Sequence, residues 1–281
     1  MTGSELAPAL LGLASAACWG AGDFSGGLAS KRTSVYGVVI VSQVIGVALL
    51  IGSALAFRER MPPTDGLVWG GLAGVCGAVG LQALYRALAQ GRMGVAAPVS
   101  AVITAAVPVI AGALLEGLPS GLQLFGFGLA LIGVWFVSRA DDPPMASGDL
   151  GLPILAGLGF GFFLVLINRA SDVAVLWPLI AARFASLSTI LAVAALSRRA
   201  WRPAVDQLPL IALTGVLDAG GNAFFALASQ LGRLDVAAVL SSLYPASTVW
   251  LARIILKERI TRMQSVGIVV ALTAIVLIAL P

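Results

Sequence analysis

The sequence predicts an all-α integral membrane protein whose ten transmembrane helices form two inverted repeats of five. Three observations carry that reading. The composition is too apolar for a soluble domain, ten runs are long enough to span a bilayer, and one constant offset aligns the first half of the chain with the second. Of the 281 residues, 59% are hydrophobic and 11% charged, where soluble domains carry about 25% charged residues. Mean hydropathy is +1.00. The net charge of +4 resides mostly in short connections between apolar runs, which suits phospholipid headgroups rather than nucleic acid.

A helix needs about 20 mostly apolar residues to cross the hydrocarbon core. The first such run, 7–29, starts without the Lys or Arg that a signal peptide requires, so it is expected to remain as a membrane helix. Run 35–57 follows, and "FRERMPPTDG" separates it from run 66–90. Run 94–116 carries Pro98 and Pro108, "EGLPSG" leads into 120–138, and "SRADDPPMASGD" precedes 150–169. Run 174–196 ends at "SRRAWRP", which leads into 207–230. Run 234–256 contains Tyr244 and Pro245, and 262–280 closes the series after the basic turn "LKERITR". None of these runs alternates polar with apolar residues as barrel strands do. Cys18 and Cys76 both lie within apolar runs, and there is no histidine. Disulfide frameworks, paired metal ligands and Ser/His/Asp triads are therefore not expected.

Shifting the chain by 141 residues places Gly91, Arg92, Val95, Ala96, Ala97 and Ser100 on Gly232, Arg233, Val236, Ala237, Ala238 and Ser241. The same shift aligns Gly20 with Gly161, Gly74 with Gly215, Gly80 with Gly221, Gln123 with Gln264 and Gly126 with Gly267. This predicts a duplicated unit, residues 1–140 and 141–281. Five helices per unit is an odd number, so the second unit enters the membrane from the opposite side. Inverted repeats of this kind are typical of secondary transporters, although duplicated channels exist as well.

Several segments resemble the EamA-type members of the drug/metabolite transporter superfamily. They are "CWGAGDF", "ALAQGRMGVAAPVSAVITAAVPVIAGALLEG" with its repeat "ALASQLGRLDVAAVLSSLYPASTVWLARIILKERI", and "QSVGIVVALTAIVLI". Glu116 and Glu258 stand at that family's closing Glu positions, one residue out of register with the 141 shift. The resemblance covers essentially the whole chain. It implies ten helices, a central cavity between the halves, and export or uptake of small metabolites. The family often begins its second helix with an Arg; Arg183 of "AARFASL" fits, whereas its counterpart here is Ser42, beside Gln43.

An ionisable residue at the bilayer centre costs about 2.5–3.5 kcal/mol on insertion scales, so each one asks for a partner, a cavity or a function. Asp218 and Asn222 lie one turn apart in run 207–230, among Gly215, Gly220 and Gly221. They read as the principal substrate or proton site, or else as a structural pair with Asp218 held by Arg183 or Arg86. Asp23 is either a second cavity carboxylate or a residue reaching the headgroups near Lys31 and Arg32. Trp19 lies one turn before it, and together they suit an organic cation. Gln82, Tyr85 and Arg86 share a helix face. Gln82 and Tyr244 are expected to hydrogen bond substrate, with Trp19 and Tyr85 as cavity walls.

With the resemblance, these residues point to a secondary transporter. It is expected to move a small metabolite or drug of the amino acid-like or organic amine class by alternating access. Export across a plasma membrane, the bacterial inner membrane, is the expected direction, with protons as the candidate coupling ion and no cofactor or metal. The expected partners are the small-molecule substrate and the lipid bilayer. A passive channel or facilitator is the competing reading. An intramembrane lipid-modifying enzyme lacks support, having no histidine and no closely spaced carboxylates. Ten Lys and Arg lie in loops on the side away from the termini and four on the termini's side. The positive-inside rule places both termini outside the cytoplasm, whereas eukaryotic members of the family imply cytosolic termini.

Overall fold

Ten α-helices and one short 3₁₀ turn make up the described part of the protein. The computed structural model describes residues 3–90, 93–116, 120–138, 150–196, 198, 201–231, 237, 240–257 and 261–279. The helices are α1 (Gly3–Ser30), α2 (Val35–Ala56), α3 (Thr64–Ala89), α4 (Met93–Glu116), α5 (Gly121–Ser138), α6 (Gly151–Ala170), α7 (Leu176–Leu196), α8 (Leu208–Leu231), α9 (Tyr244–Ile255) and α10 (Arg262–Ala279), with the 3₁₀ turn Val205–Gln207 before α8. Among the described residues, five segments are long and apolar enough to cross a membrane: Val35–Ala56, Thr64–Ala89, Gly151–Ala170, Leu176–Leu196 and Val205–Leu231. The shorter stretches Ala96–Pro108, Leu124–Gly133 and Ser265–Ala274 are apolar as well. The protein is a multi-pass helical membrane protein.

Helix ends follow local chemistry. Beyond α2, Arg58 takes a left-handed conformation (φ 52°), and the Glu59 N–H donates back to the Ala54 carbonyl at 3.0 Å. That closes orphan carbonyls at the helix end. Arg198 has the same turn (φ 48°) after α7, 140 residues later. The run expected as one helix over 234–256 is interrupted. Ser241 is helical, Ser242 and Leu243 form a turn, and α9 starts at Tyr244. Pro245 accounts for the break, because it lacks the N–H that would bond to Ser241 and its ring obstructs that carbonyl. Pro98 and Pro108 are instead accommodated inside α4.

The principal packing contacts run between the halves. Helix α1 packs on α8 and α9, α6 on α3 and α4, α2 on α8, and α7 on α3; α2 also packs on α7, and α5 on α10. Exchanging each helix for the one five places away leaves this pattern unchanged. The aligned glycines show why. A Cβ on Gly20 would lie 2.3 Å from the Tyr244 carbonyl of α9, and one on its mate Gly161 would lie 2.4 Å from Val107 of α4. On Gly74 it would lie 2.0 Å from the Ala182 carbonyl of α7, and on Gly215 2.5 Å from the Ser42 carbonyl of α2. Within a membrane, helix association relies on such close backbone approach, since lipid is as apolar as the side chains. A shared core continues the seam, with Leu50, Ala73, Leu164, Leu179 and Phe225 packed from α2, α3, α6, α7 and α8.

Candidate functional site

The two halves enclose a cavity of about 690 Å³, its open part included. Its walls are largely apolar or small: Gly74, Gly77 and Leu81 from α3, Phe160, Phe163 and Leu164 from α6, and Leu179 and Ala182 from α7. The polar lining comes from Trp19 and Asp23 on α1, Gln43 on α2, Thr104 on α4, Arg183 and Ser186 on α7, Asp218 and Asn222 on α8, and Tyr244 on α9. All eight of these helices contribute.

Asp218 and Arg183 form an ion pair, made by Arg183 Nη1 on Asp218 Oδ2. The same Nη1 donates to Gln43 Oε1 at 2.8 Å. Gln43 was noted in the sequence only as the neighbour of Ser42. Its signal is the 140-residue spacing from Arg183, because helices α2 and α7 meet here in a register one residue off the 141 shift. Arg183 is 5% exposed and its Nη2 has no hydrogen-bond partner. One turn on, the Ser186 hydroxyl is buried and also lacks a partner.

Asn222 is held differently. Trp19 Nε1 donates to its Oδ1 at 3.2 Å. Trp19 is fixed by this bond, by an edge-on contact with Tyr244 (centroids 6.4 Å apart, planes at 89°) and by Phe225 at 5.7 Å. A Cβ at Gly221 would lie 2.5 Å from the Trp19 ring, so the glycine admits the indole between α1 and α8. Tyr244 Oη lies 3.5 Å from the Ser100 hydroxyl. Trp19, Asn222 and Tyr244 therefore come together as one polar and aromatic wall.

Asp23 lines this cavity. Among the described residues it forms no hydrogen bond and no ion pair. It lies within electrostatic reach of Asp218, Tyr85 and Tyr244. Of the two carboxylates in the lining, Asp218 is paired with Arg183 and Asp23 has no cationic partner among the described residues.

Gln82 and Tyr85 are buried on α3 but lie outside the lining. Tyr85 fills the space over Gly26 of α1, where a Cβ would be 2.3 Å from its ring. Neither Tyr85 Oη nor the Gln82 amide has a hydrogen-bond partner. Arg86 serves neither acid. Its Nη2 donates to Tyr36 Oη at 2.5 Å, and its guanidinium lies 5.2 Å from the centre of that ring.

A family model described as the EamA-like transporter family matches the chain twice, over residues 6–139 and 146–280. No curated protein matches the chain. A solved structure described as "Crystal structure of protein" is similar in fold, with a TM-score of 0.67 and 17% identity over 96% of this chain and 95% of that one. At that identity the likeness concerns the fold alone.

Proposed function

We propose carrier-type transport of a small amine-bearing solute by this protein: it belongs to the EamA-like transporter family, and its central cavity holds one carboxylate that pairs with no cation among the described residues. Asp23 is that carboxylate and is the observation that carries the proposal. A substrate ammonium would pair with it in the cavity that Trp19 also lines, where charge pairing and cation–π attraction can act together. Asn222 and Tyr244 supply neighbouring hydrogen-bonding groups. Asp218, first in line from sequence, takes a supporting role, because Arg183 already occupies it.

Ten spans in two inverted five-helix units, residues 1–140 and 141–281, complete the reading. Support comes from the paired family matches and from the exchange symmetry of the packing. Alternating access then means that the halves exchange conformations around a fixed Asp23. A proton and the amine compete for this one carboxylate, which gives exchange coupling; amine binding weakens as pH falls. We place the protein in a bacterial plasma membrane with export as its direction and, by charge bias, both termini outside.

Asp23→Asn removes the charge at nearly constant volume. The expected result is loss of saturable amine uptake into proteoliposomes by a variant that keeps wild-type helicity and elution volume. Wild-type uptake by that variant would overturn the assignment.

A further inference from the structure

Tyr85 and Gln82 are buried in α3, and neither the Tyr85 hydroxyl nor either end of the Gln82 amide has a hydrogen-bond partner. Orphaned polar groups are rare in a folded interior, and each one calls for an explanation. The register of two helices supplies it. On α1 the cavity lining runs through Trp19 and Asp23, and the next position on that face is Gly26. On α3 it runs through Gly74, Gly77 and Leu81, and the next position is Tyr85. These next positions meet: a Cβ on Gly26 would lie 2.3 Å from the Tyr85 ring and 2.5 Å from its hydroxyl. The lined faces of α1 and α3 therefore end where the tyrosine sits on the glycine. The second half does not repeat this contact. The 141 shift carries Gly26 onto Ile167 and Tyr85 onto Ala226, and α6 packs on α8 far less extensively than α1 packs on α3.

We propose that Tyr85 on Gly26 is a gate between α1 and α3, shut in this structure, and that Tyr85 and Gln82 line the cavity once it opens. This rests on the reading of the halves as exchanging conformations. When they do, α1 and α3 take up the loose packing that α6 and α8 have here. Water then reaches the Tyr85 hydroxyl and the Gln82 amide, which have no partner while the gate is shut. The hydroxyl thus favours opening. Gly26 is what lets the gate shut, because a side chain there would occupy the place of the phenol ring.

Thiol reactivity reads the gate without a substrate. The full-length protein, freed of its own thiols by Cys18→Ser and Cys76→Ser, carries Gln82→Cys and is treated with a water-soluble maleimide. Reaction is expected to be about tenfold slower than when Phe163→Cys, at a partly exposed lining position, takes the place of Gln82→Cys. Adding Tyr85→Phe, which keeps the ring and removes the orphaned hydroxyl, is expected to slow it about tenfold more. Adding Gly26→Ala, whose methyl displaces the ring, is expected to speed it. In proteoliposomes, Tyr85→Phe alone is expected to lower the maximal exchange rate of isopentylamine, the probe amine, about tenfold. A tyrosine that only fills space would not have that effect. Gln82→Cys reacting as fast as Phe163→Cys, or at a rate that neither added change alters, overturns the gate. So does a wild-type exchange rate for Tyr85→Phe. If Gly26→Ala does not fold, Tyr85→Phe decides alone. If labelling follows expectation but the wild type exchanges no isopentylamine, the gate stands and the amine reading falls.

Discussion

Asp218 illustrates how burial changes the meaning of a charged residue. As sequence, a carboxylate in "LTGVLDAGGNAFF" invites a functional role; in the folded protein it shares its environment with Arg183, which is 5% exposed. Taking one partner from a fully buried pair costs about 3–5 kcal/mol, because the other charge stays buried and uncompensated; with the Asp218 side chain 19% exposed, only part of that cost applies here. Asp218→Asn is therefore expected to lower the thermal unfolding midpoint markedly in detergent, and the double change with Arg183→Gln to recover part of the loss. An unaltered midpoint for Asp218→Asn would show that the pair does not hold the fold. The pairing with Arg183 was one of the readings open in the sequence, as was the cavity position of Asp23. Gln43 and Ser186 were not legible. Their roles depend on which turn of α2 and α7 faces inward, and a local one-residue slip from the repeat hides that.

At the scale of elements, the connection between α2 and α3 reaches across to the other half. The Glu59 carboxylate accepts from the backbone N–H groups of Val175, Leu176 and Trp177 at 2.9–3.1 Å, and the Trp177 indole donates to the Glu59 carbonyl at 3.0 Å. A helix start leaves such N–H groups unbonded and carries partial positive charge, so a carboxylate satisfies it twice over. The opposite connection, between α7 and α8, makes a lighter contact through the Ala204 N–H on the Thr33 hydroxyl at 2.8 Å. Glu59→Ala is expected to cost about 1–2 kcal/mol, read as a lower unfolding midpoint, and Glu59→Gln less. Equal midpoints for both variants and the wild type would mean that the clasp contributes nothing. Helix positions were readable from apolar run length. The break before α9 was only half readable: Pro245 and Tyr244 marked the bend, but Pro98 and Pro108 in α4 carry the same signal without a break.

For the whole molecule, the duplication was visible because structure repeats it contact by contact. Gly20 and Gly161, and Gly74 and Gly215, sit at equivalent close approaches between the halves, and only a residue without a side chain fits each one. A constant offset in sequence is thus the trace of a constant geometry. The cavity is less symmetric than its frame, since the 141 shift carries Asp218 onto Gly77 and Asn222 onto Leu81. On the proposed reading, the frame would supply two exchangeable conformations and the asymmetric polar groups the chemistry. Counterflow tests this account most directly. Proteoliposomes holding wild-type protein are loaded with unlabelled isopentylamine, a small apolar amine, and diluted into a trace of the labelled amine. A carrier is expected to accumulate label transiently above its external concentration, with saturation as the external concentration rises. Simple equilibration without overshoot or saturation would contradict alternating access and leave a passive pore.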